Sequence, residues 1–291
     1  MIPIAIGTVL SVVNILFWFI LHFNALFLQQ PNHFDMKISL IQYDILWEDK
    51  KGNFAKLSEM LGRVPEGTEL VILPEMFNTG FSPAADVLAE EPRSLTFEWM
   101  QKTSREKGFA IAGSYMVAEG VNHFNRWVFI SPEGSLFKYD KRHLFAQGGV
   151  EVNYTPGTER VVFEYKGVRI CPNICYDLRF PVWSRNRNDY DLLINSANWP
   201  EARRDVWLTL LKARAIENQC FVAGVNRTGI DGMGIKYSGD SMMIGPKGEI
   251  LASGETYLES IISCDINTDE LREFRTRFSV AGDADNFTIQ L

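Results

Sequence analysis

The chain has 291 residues, of which 46% are hydrophobic and 22% charged, and its formal net charge is −7. A polypeptide of this length and composition can bury one large core. The acidic balance and the lack of a basic stripe argue against nucleic acid as a partner, because phosphates are bound by clustered lysine and arginine. Four cysteines without regular spacing indicate a reducing compartment rather than a disulfide framework.

The first 35 residues differ in composition from everything that follows. Residues 2–28 are nearly all apolar, and at about 1.5 Å per residue they are long enough to cross a hydrocarbon core of roughly 30 Å. We expect an apolar extension over 1–35, either a transmembrane helix or translated sequence upstream of a start at Met36. No basic segment precedes it, which disfavours a cleaved secretory signal. The predicted domain is therefore 36–291, cytoplasmic, and membrane-anchored only if the extension is real.

Beyond Met36, apolar runs of strand length alternate with helical patterns. We expect strands over 38–43, 70–73, 109–117, 124–130, 135–140, 168–174, 192–195, 221–225 and 261–266, and helices over 53–61, 95–107 and 203–219. Hairpin turns are expected at 132–134, 166–167 and 246–248 because proline and glycine favour turns. This mixture of hairpins and crossovers predicts an α/β protein with two sheets flanked by helices.

Three chemically different side chains fall where three of these strands end. Glu75 follows a buried run and Pro74, Lys141 follows a hairpin, and Cys175 follows an apolar strand. Each has an ordinary explanation: a solvated loop carboxylate, a surface lysine and a small buried thiol. Strand ends are also where mixed α/β sheets present their functional groups. Their conjunction favours a single catalytic centre.

The words around these residues resemble the nitrilase, or carbon-nitrogen hydrolase, superfamily, with the greatest similarity to bacterial omega-amidases. The motifs occur in the family's order from Met36 to the C-terminus: LPEMFNTGF, DKRHLF, YTPG, CPNICYDLRFP, NSANWP, KARAIENQ, GVNRTGIDG and YSGDSMMIGPKGE. The resemblance implies a four-layer α-β-β-α sandwich, dimerised so that its sheets extend across subunits. It also implies amide hydrolysis without a metal or an organic cofactor.

The resemblance assigns a role to each of the three residues. Cys175 would be the nucleophile, Glu75 the general base and Lys141 the cation that stabilises the oxyanion, with the backbone N–H of Tyr176 as a second donor. The chemistry suits the residue types, because an amide carbonyl is a poor electrophile and a free thiol, with a pKa of about 8.5, holds little thiolate at neutral pH. Burial would make the carboxyl of Glu75 less acidic and so a better base.

Competing arrangements are less well supported by the sequence. His143 is the rival general base, although a structural hydrogen bond is the ordinary role for a histidine in this position. Cys171 and Cys175 are four residues apart, but no second cluster supplies the remaining ligands of a zinc site. The family also has related amidase, carbamoylase and nitrilase activities, and a scaffold protein that kept only the fold is a further alternative.

The chain departs from the family pattern at two positions. A supporting glutamate before YTPG would fall at Val150, while the nearest acid, Glu151, is displaced by one residue. The family's FPE reads Phe180-Pro181-Val182, so one acidic neighbour is lost. These departures leave the three principal residues in place and affect the expected rate and substrate range.

Omega-amidases act on the terminal amide of small dicarboxylic monoamides, such as 2-oxoglutaramate or 2-oxosuccinamate. A substrate of this class requires a cation for its remote carboxylate. We expect Arg179 in that role, with a salt bridge to Asp177 as the alternative, and Trp199 as a wall of the pocket, with simple packing as the alternative. The predicted partners are therefore a small-molecule amide and a second copy of the chain.

Overall fold

The computed structural model describes residues 35–145 and 154–289. The strands are β1 Asp35–Gln42, β2 Leu70–Ile72, β3 Ala110–Glu119, β4 Asn122–Ile130, β5 Leu136–Asp140, β6 Phe163–Tyr165, β7 Val168–Ile174, β8 Leu192–Ala197, β9 Phe221–Asn226, β10 Thr228–Ile230, β11 Lys236–Ser238, β12 Met242–Ile244, β13 Ile250–Ser253 and β14 Ser260–Asn267. The α-helices are α1 Lys50–Leu61, α2 Ala85–Leu88, α3 Leu95–Lys107, α4 Arg204–Asn218 and α5 Thr268–Arg277. Short 3-10 helices cover Cys175–Arg179, Glu201–Arg203 and Ala281–Asp283.

Two six-stranded mixed sheets form the framework. The first has the order β14-β1-β2-β3-β4-β5, and the second has the order β13-β12-β9-β8-β7-β6. Near the centre of each sheet the strands run parallel, β1 with β2 and β3 in the first, and β7 with β8 and β9 in the second. The carboxyl ends of parallel strands meet at one edge of a sheet, and there the loops gather the polar side chains.

The sheets pack face to face, and helices cover their outer faces. Alternate residues of β2 show how the layers arise: Leu70 and Ile72 join the core between the sheets, while Val71 and Leu73 pack toward α1 and α3. On the outer face of the second sheet, Trp207 and other apolar residues of α4 complete a third cluster. Because strands covered on both faces must be apolar on both faces, they read as continuous apolar runs. The predicted four-layer α/β sandwich is confirmed.

The first helix is longer than the sequence indicates. The apolar spacing predicts a helix over 53–61, whereas α1 begins at Lys50 because the carboxylate of Asp49 accepts a hydrogen bond from the N–H of Gly52. An acidic N-cap satisfies one of the free N–H groups of a first helical turn. The other two helices, predicted over 95–107 and 203–219, are found at α3 and α4 with shifts of at most one residue.

One buried aspartate, paired with two arginines, ties the second sheet to the C-terminal helix. Asp191, just before β8, accepts hydrogen bonds from Arg169 at 2.7 and 2.9 Å and from Arg275 of α5 at 2.9 Å. Burial alone would raise the pKa of Asp191, but the hydrogen bond and charge of Arg169 and the charge of Arg275 hold it below the usual value. Asp191 therefore stabilises the fold in its ionised form.

The predicted extension over 1–35 falls almost entirely outside the described residues. Within residues 35–145 and 154–289, no helix has the length and apolarity needed to cross a bilayer. The four cysteines all lie in the described ranges and are free thiols.

Candidate active site

Glu75 lies at the centre of a buried polar cluster. It follows β2 by three residues, and its side chain has no solvent exposure. Its Oε1 accepts hydrogen bonds from Lys141 Nζ at 2.9 Å and from Asn125 Nδ2 at 2.8 Å, and its Oε2 accepts from the backbone N–H of Asn198 at 2.9 Å. A buried carboxylate is tolerated only with such partners. The cluster joins both sheets, because Asn198 follows β8.

Lys141 directly follows β5, and this position places its side chain in the cluster. Its side chain is fully buried, and its Nζ also lies 5.3 Å from the ring centroid of Phe81. The backbone on both sides is fixed: Lys141 N donates to Asn125 O at 3.0 Å, and Gly157 N donates to Lys141 O at 2.9 Å. A Cβ on Gly157 would come within 2.1 Å of the carbonyl oxygen of Asp140. The glycine of the YTPG motif therefore allows two chain segments to touch beside the lysine.

Cys175 occupies a sharp turn between β7 and the 3-10 helix that it begins. Its φ of +44° lies in the left-handed region, which non-glycine residues adopt rarely and which is enriched at active sites. Its Sγ lies 3.9 Å from the carbonyl oxygen of Asn198. Asn198 thus contacts Glu75 through its N–H and Cys175 through its carbonyl. Tyr176 is the next residue, and the first N–H groups of a helix have no partner inside the helix.

The carboxylate of Asp177 stabilises this turn through hydrogen bonds. Its carboxylate is fully buried and accepts four hydrogen bonds: at Oδ1 from His143 N and Nδ1 at 3.0 and 2.8 Å, and at Oδ2 from Ile174 N and Tyr139 OH at 3.0 and 2.7 Å. His143 also stacks on Phe180, with ring centroids 3.7 Å apart. The structure therefore places His143 against Asp177 as a support of the turn.

Lys141 and Cys175 open onto one small pocket of about 80 Å³. Its other lining residues are Phe81, Phe145, Tyr176, Arg179, Asn198, Trp199, Pro200, Arg203, Met233, Ile235 and Tyr237. The lining is mostly apolar, with three basic side chains and no carboxylate among the residues that the structure describes. Such a pocket favours a small anionic ligand over a cation.

The two predicted substrate contacts both line this pocket. The guanidinium carbon of Arg179 lies 5.2 Å from the ring centroid of Trp199. Trp199 is 3% exposed and donates through Nε1 to the carbonyl oxygen of Arg203 at 2.8 Å. The alternative salt bridge to Asp177 is not formed, because Asp177 is occupied by the donors described above.

The hairpin of β10 and β11 forms the apolar wall of the pocket. Tyr237 donates its hydroxyl to Asp231 Oδ2 at 2.8 Å, and Asp231 Oδ1 accepts from the N–H groups of Met233 and Ile235, both at 2.9 Å. Burial and the neighbouring charge and hydrogen bond of Asp231 raise the pKa of Tyr237 well above its usual value. The phenol is therefore neutral at physiological pH and serves to fix the hairpin.

Sequence reasoning missed three residues of the site. Asn125 lies inside β4, where nothing in the alternation of side chains distinguishes it. Asn198 stands in the NSANWP motif but reads as an ordinary loop amide, and Arg203 reads as one charge at the start of the helix predicted over 203–219. The sequence departs from the family pattern at two positions. One of them, Val182, is 54% exposed and lies outside the pocket lining. Val150, with Glu151, lies outside the described residues.

Comparison with known proteins identifies the family. A model of the carbon-nitrogen hydrolase family matches residues 37–276. The chain belongs to this family. It is 42% identical over 256 residues to omega-amidase YafV of Escherichia coli (strain K12), covering 87% of this chain and 98% of that protein. It is 36% identical over 251 residues to 2-oxoglutaramate amidase of Bacillus subtilis (strain 168), covering 84% and 96% of the two chains.

A solved structure of the carbon-nitrogen hydrolase superfamily has the same fold. XC1258 from Xanthomonas campestris, whose crystal structure carries an arsenic adduct in the active site, matches with a TM-score of 0.85 and 42% identity. The match covers 88% of this chain and 99% of that chain. The resemblance indicated by the sequence motifs is thereby confirmed.

Within the described ranges, no group of three or more His, Cys, Asp or Glu side chains could hold a metal ion.

Proposed function

We propose that this hydrolase is an omega-amidase that cleaves the terminal amide of small dicarboxylic monoamides, of the 2-oxoglutaramate or 2-oxosuccinamate type, to acid and ammonia. One observation carries the proposal: Cys175 and Lys141 line the same pocket, and Lys141 Nζ lies 2.9 Å from the buried carboxylate of Glu75. The identity with YafV and with 2-oxoglutaramate amidase supports the substrate class.

The first half of the reaction forms a thioester. Sγ of Cys175 attacks the amide carbon while Glu75 accepts the thiol proton, and the carbonyl oxygen becomes an oxyanion. Lys141 Nζ and the N–H of Tyr176 donate to that oxygen. When the tetrahedral intermediate collapses, the carbon-nitrogen bond breaks and Glu75 returns the proton to the departing nitrogen. Ammonia leaves, and the acyl group remains on sulfur.

The second half hydrolyses the thioester. Glu75 accepts a proton from water as the water oxygen attacks the acyl carbon, and the same two donors stabilise the second oxyanion. Collapse breaks the carbon-sulfur bond, and the proton passes to the sulfur. The carboxylic acid leaves and Cys175 is again a thiol. Atoms balance with one water consumed for each ammonia released.

The proposal is tested by measuring ammonia release from a panel of amides, with 2-oxoglutaramate first, for wild type, Cys175→Ala and Glu75→Gln. We expect each substitution to reduce kcat by at least ~1000-fold, because nucleophile and base act as one unit. The matched control is Cys264→Ala, since Cys264 is a half-buried free thiol outside the pocket. It should retain wild-type turnover.

Three outcomes would contradict the proposal. Unchanged turnover in Cys175→Ala would exclude the thioester mechanism. Nitrile hydrolysis with little amide hydrolysis would indicate a nitrilase, and a wild-type protein without activity on any amide would indicate a scaffold homologue.

The proposal includes the assembly and the extent of the functional chain. A homodimer and a cytoplasmic hydrolase domain over 36–291 stay predictions. Sedimentation of the purified protein measures the first. The second is measured by expressing the gene natively and sequencing the mature N-terminus. A soluble protein that begins at Met36 would remove the membrane-anchor alternative for residues 1–35.

A further inference from the structure

Two arginines line the pocket without a carboxylate partner. The pocket holds three basic side chains, and Lys141 is the one that pairs with an acid, Glu75. Arg179 and Arg203 are half-buried, and neither forms a salt bridge with any residue in the part of the chain that the structure describes. Arginine keeps its charge at every physiological pH. The pocket therefore presents two positive charges that no acid of the described residues neutralises.

The position of Arg203 is fixed by contacts other than ion pairs. It is the last residue of the 3-10 helix Glu201–Arg203, and its carbonyl oxygen accepts the Trp199 indole N–H at 2.8 Å. Its guanidinium carbon lies 5.2 Å from the ring centroid of Phe145, and that of Arg179 lies 5.2 Å from the ring of Trp199. Aromatic faces hold a guanidinium without using its N–H donors. Donors of both arginines thus stay available to a ligand.

The next residue gives a direct contrast. Arg204 forms a bidentate pair with Asp240, with hydrogen bonds of 2.7 and 2.8 Å. Two consecutive arginines therefore have different surroundings: Arg204 is paired with an acid of the scaffold, and Arg203 faces a pocket whose described lining includes no acid. Because the whole chain carries a net charge of −7, an anionic substrate needs a local positive site of this kind.

We propose that Arg203 acts together with Arg179 as a two-arginine clamp on the remote carboxylate of the substrate, and that Arg203 determines the preference for carboxylated over neutral amides. The inference rests on the proposed function, since the amide end of the ligand must reach Cys175. Guanidinium groups match the planar geometry of a carboxylate and bind it through paired hydrogen bonds. Arg203 is a substrate-binding residue that touches neither the scissile bond nor the leaving ammonia.

The test compares two amides that differ only at the remote end. Glutaramate carries a carboxylate there, and glutaramide carries a neutral amide of nearly the same shape. For Arg203→Met, we expect kcat/KM on glutaramate to fall by ~10- to 100-fold, the usual value of hydrogen bonds to a charged group. The loss should appear mainly in KM, because the carboxylate is bound equally in the ground state and the transition state. Activity on glutaramide should change less than about threefold.

Two further variants sharpen the result. Arg203→Lys keeps the charge but not the paired donors, so it should retain part of the preference for glutaramate, and it replaces the methionine variant if that one folds poorly. The matched control is Arg277→Met, because Arg277 is 79% exposed and lies outside the pocket. It should leave both substrates unaffected.

Failure of the inference and failure of the proposed function give different results. Suppose that wild type hydrolyses glutaramate. If Arg203→Met then loses the same fraction of activity on both amides, or keeps full activity on both, the inference about Arg203 is wrong, while the proposed amidase function is unaffected. If wild type hydrolyses no amide, the proposed function is wrong. Calorimetric binding of glutarate to the Cys175→Ala protein, with and without Arg203→Met, then still reports whether Arg203 binds a carboxylate, and unchanged affinity would overturn the clamp.

Discussion

Replacing Asp177 by asparagine is expected to weaken the turn that carries Cys175. Each carboxylate oxygen accepts one hydrogen bond from a backbone N–H, His143 N at Oδ1 and Ile174 N at Oδ2, both at 3.0 Å. An asparagine has one acceptor oxygen and one amino group. In either orientation its amino group therefore faces a backbone N–H that cannot turn away.

The second donor at Oδ1 can adapt, and this limits the cost, because the ring of His143 can change tautomer and accept. The hydroxyl of Tyr139 cannot, since it already accepts from Arg142 N and Trp183 Nε1 at 3.2 and 3.0 Å. The asparagine therefore keeps its carbonyl oxygen toward Tyr139 and its amino group toward His143. One backbone N–H remains without an acceptor, which costs about 1–3 kcal/mol, and the remaining bonds lose the strengthening given by a charged acceptor. We expect the free energy of unfolding to fall by roughly 3 kcal/mol. For a domain of this size, that corresponds to a decrease in Tm of about 6–12 °C.

The assay combines urea unfolding with ammonia release. Asp177→Asn should lower the urea midpoint, and kcat should fall more than KM rises, because the strained φ of +44° at Cys175 depends on this support. Asp283→Asn is the control, since Asp283 is exposed on a surface 3-10 helix. If Asp177→Asn unfolds at the same urea concentration as wild type, the argument about opposed donors is wrong.

Three other predictions follow from the geometry and the pKa shifts. Iodoacetamide at pH 7.5 should alkylate Cys175 well before Cys171, as measured by peptide mass spectrometry, because burial raises the pKa of the Cys171 thiol to about 12. Gly157→Ala should reduce kcat/KM at least about tenfold in the ammonia assay, because the new methyl group displaces the backbone that carries Lys141. Asp191→Asn should lower stability in urea unfolding at pH 7, and the difference from wild type should shrink as the pH falls below about 4, since the folded-state pKa lies below the unfolded value.

Each of these has a clear contrary result. Equal alkylation of the two thiols would mean that the second sheet opens readily around Cys171. Full activity in Gly157→Ala would mean that the backbone beside Lys141 adjusts without moving the side chain. A stability difference for Asp191→Asn that is the same at pH 3 and pH 7 would mean that the charge of this residue is not what stabilises the fold.

The strand ends that carry Glu75, Lys141 and Cys175 could be located from the sequence because turn residues and apolar runs have a local cause. Pro74 interrupts the sheet before Glu75, and the apolar strand β7 stops at Cys175. The predicted first residue of a helix was less accurate where that start is set by a capping side chain outside the apolar pattern. The carboxylate of Asp49 extends α1 by three residues, and periodicity alone carries no signal for that.

The surroundings of the three residues could not be predicted, because they arise from contacts distant in the sequence. Asn125 reaches Glu75 across 50 residues and Asn198 reaches it across 123. Likewise, the freedom of Arg203 from any described acid follows from where Asp240 lies, next to Arg204. A single sequence shows which residue types are available but not which of them meet after the sheets pack.

The polar cluster contains residues from both sheets, so turnover depends on how closely the two sheets pack against each other. Glu75 comes from the first sheet and Cys175 from the second, and Ser196 Oγ donates to the carbonyl oxygen of Leu73 at 2.9 Å across the interface. A partly unfolded molecule could keep its strands and helices while the two sheets no longer packed tightly against each other. Such a molecule would retain its far-ultraviolet circular dichroism spectrum and lose the site. Ammonia release is therefore a more sensitive gauge of native packing than secondary-structure content.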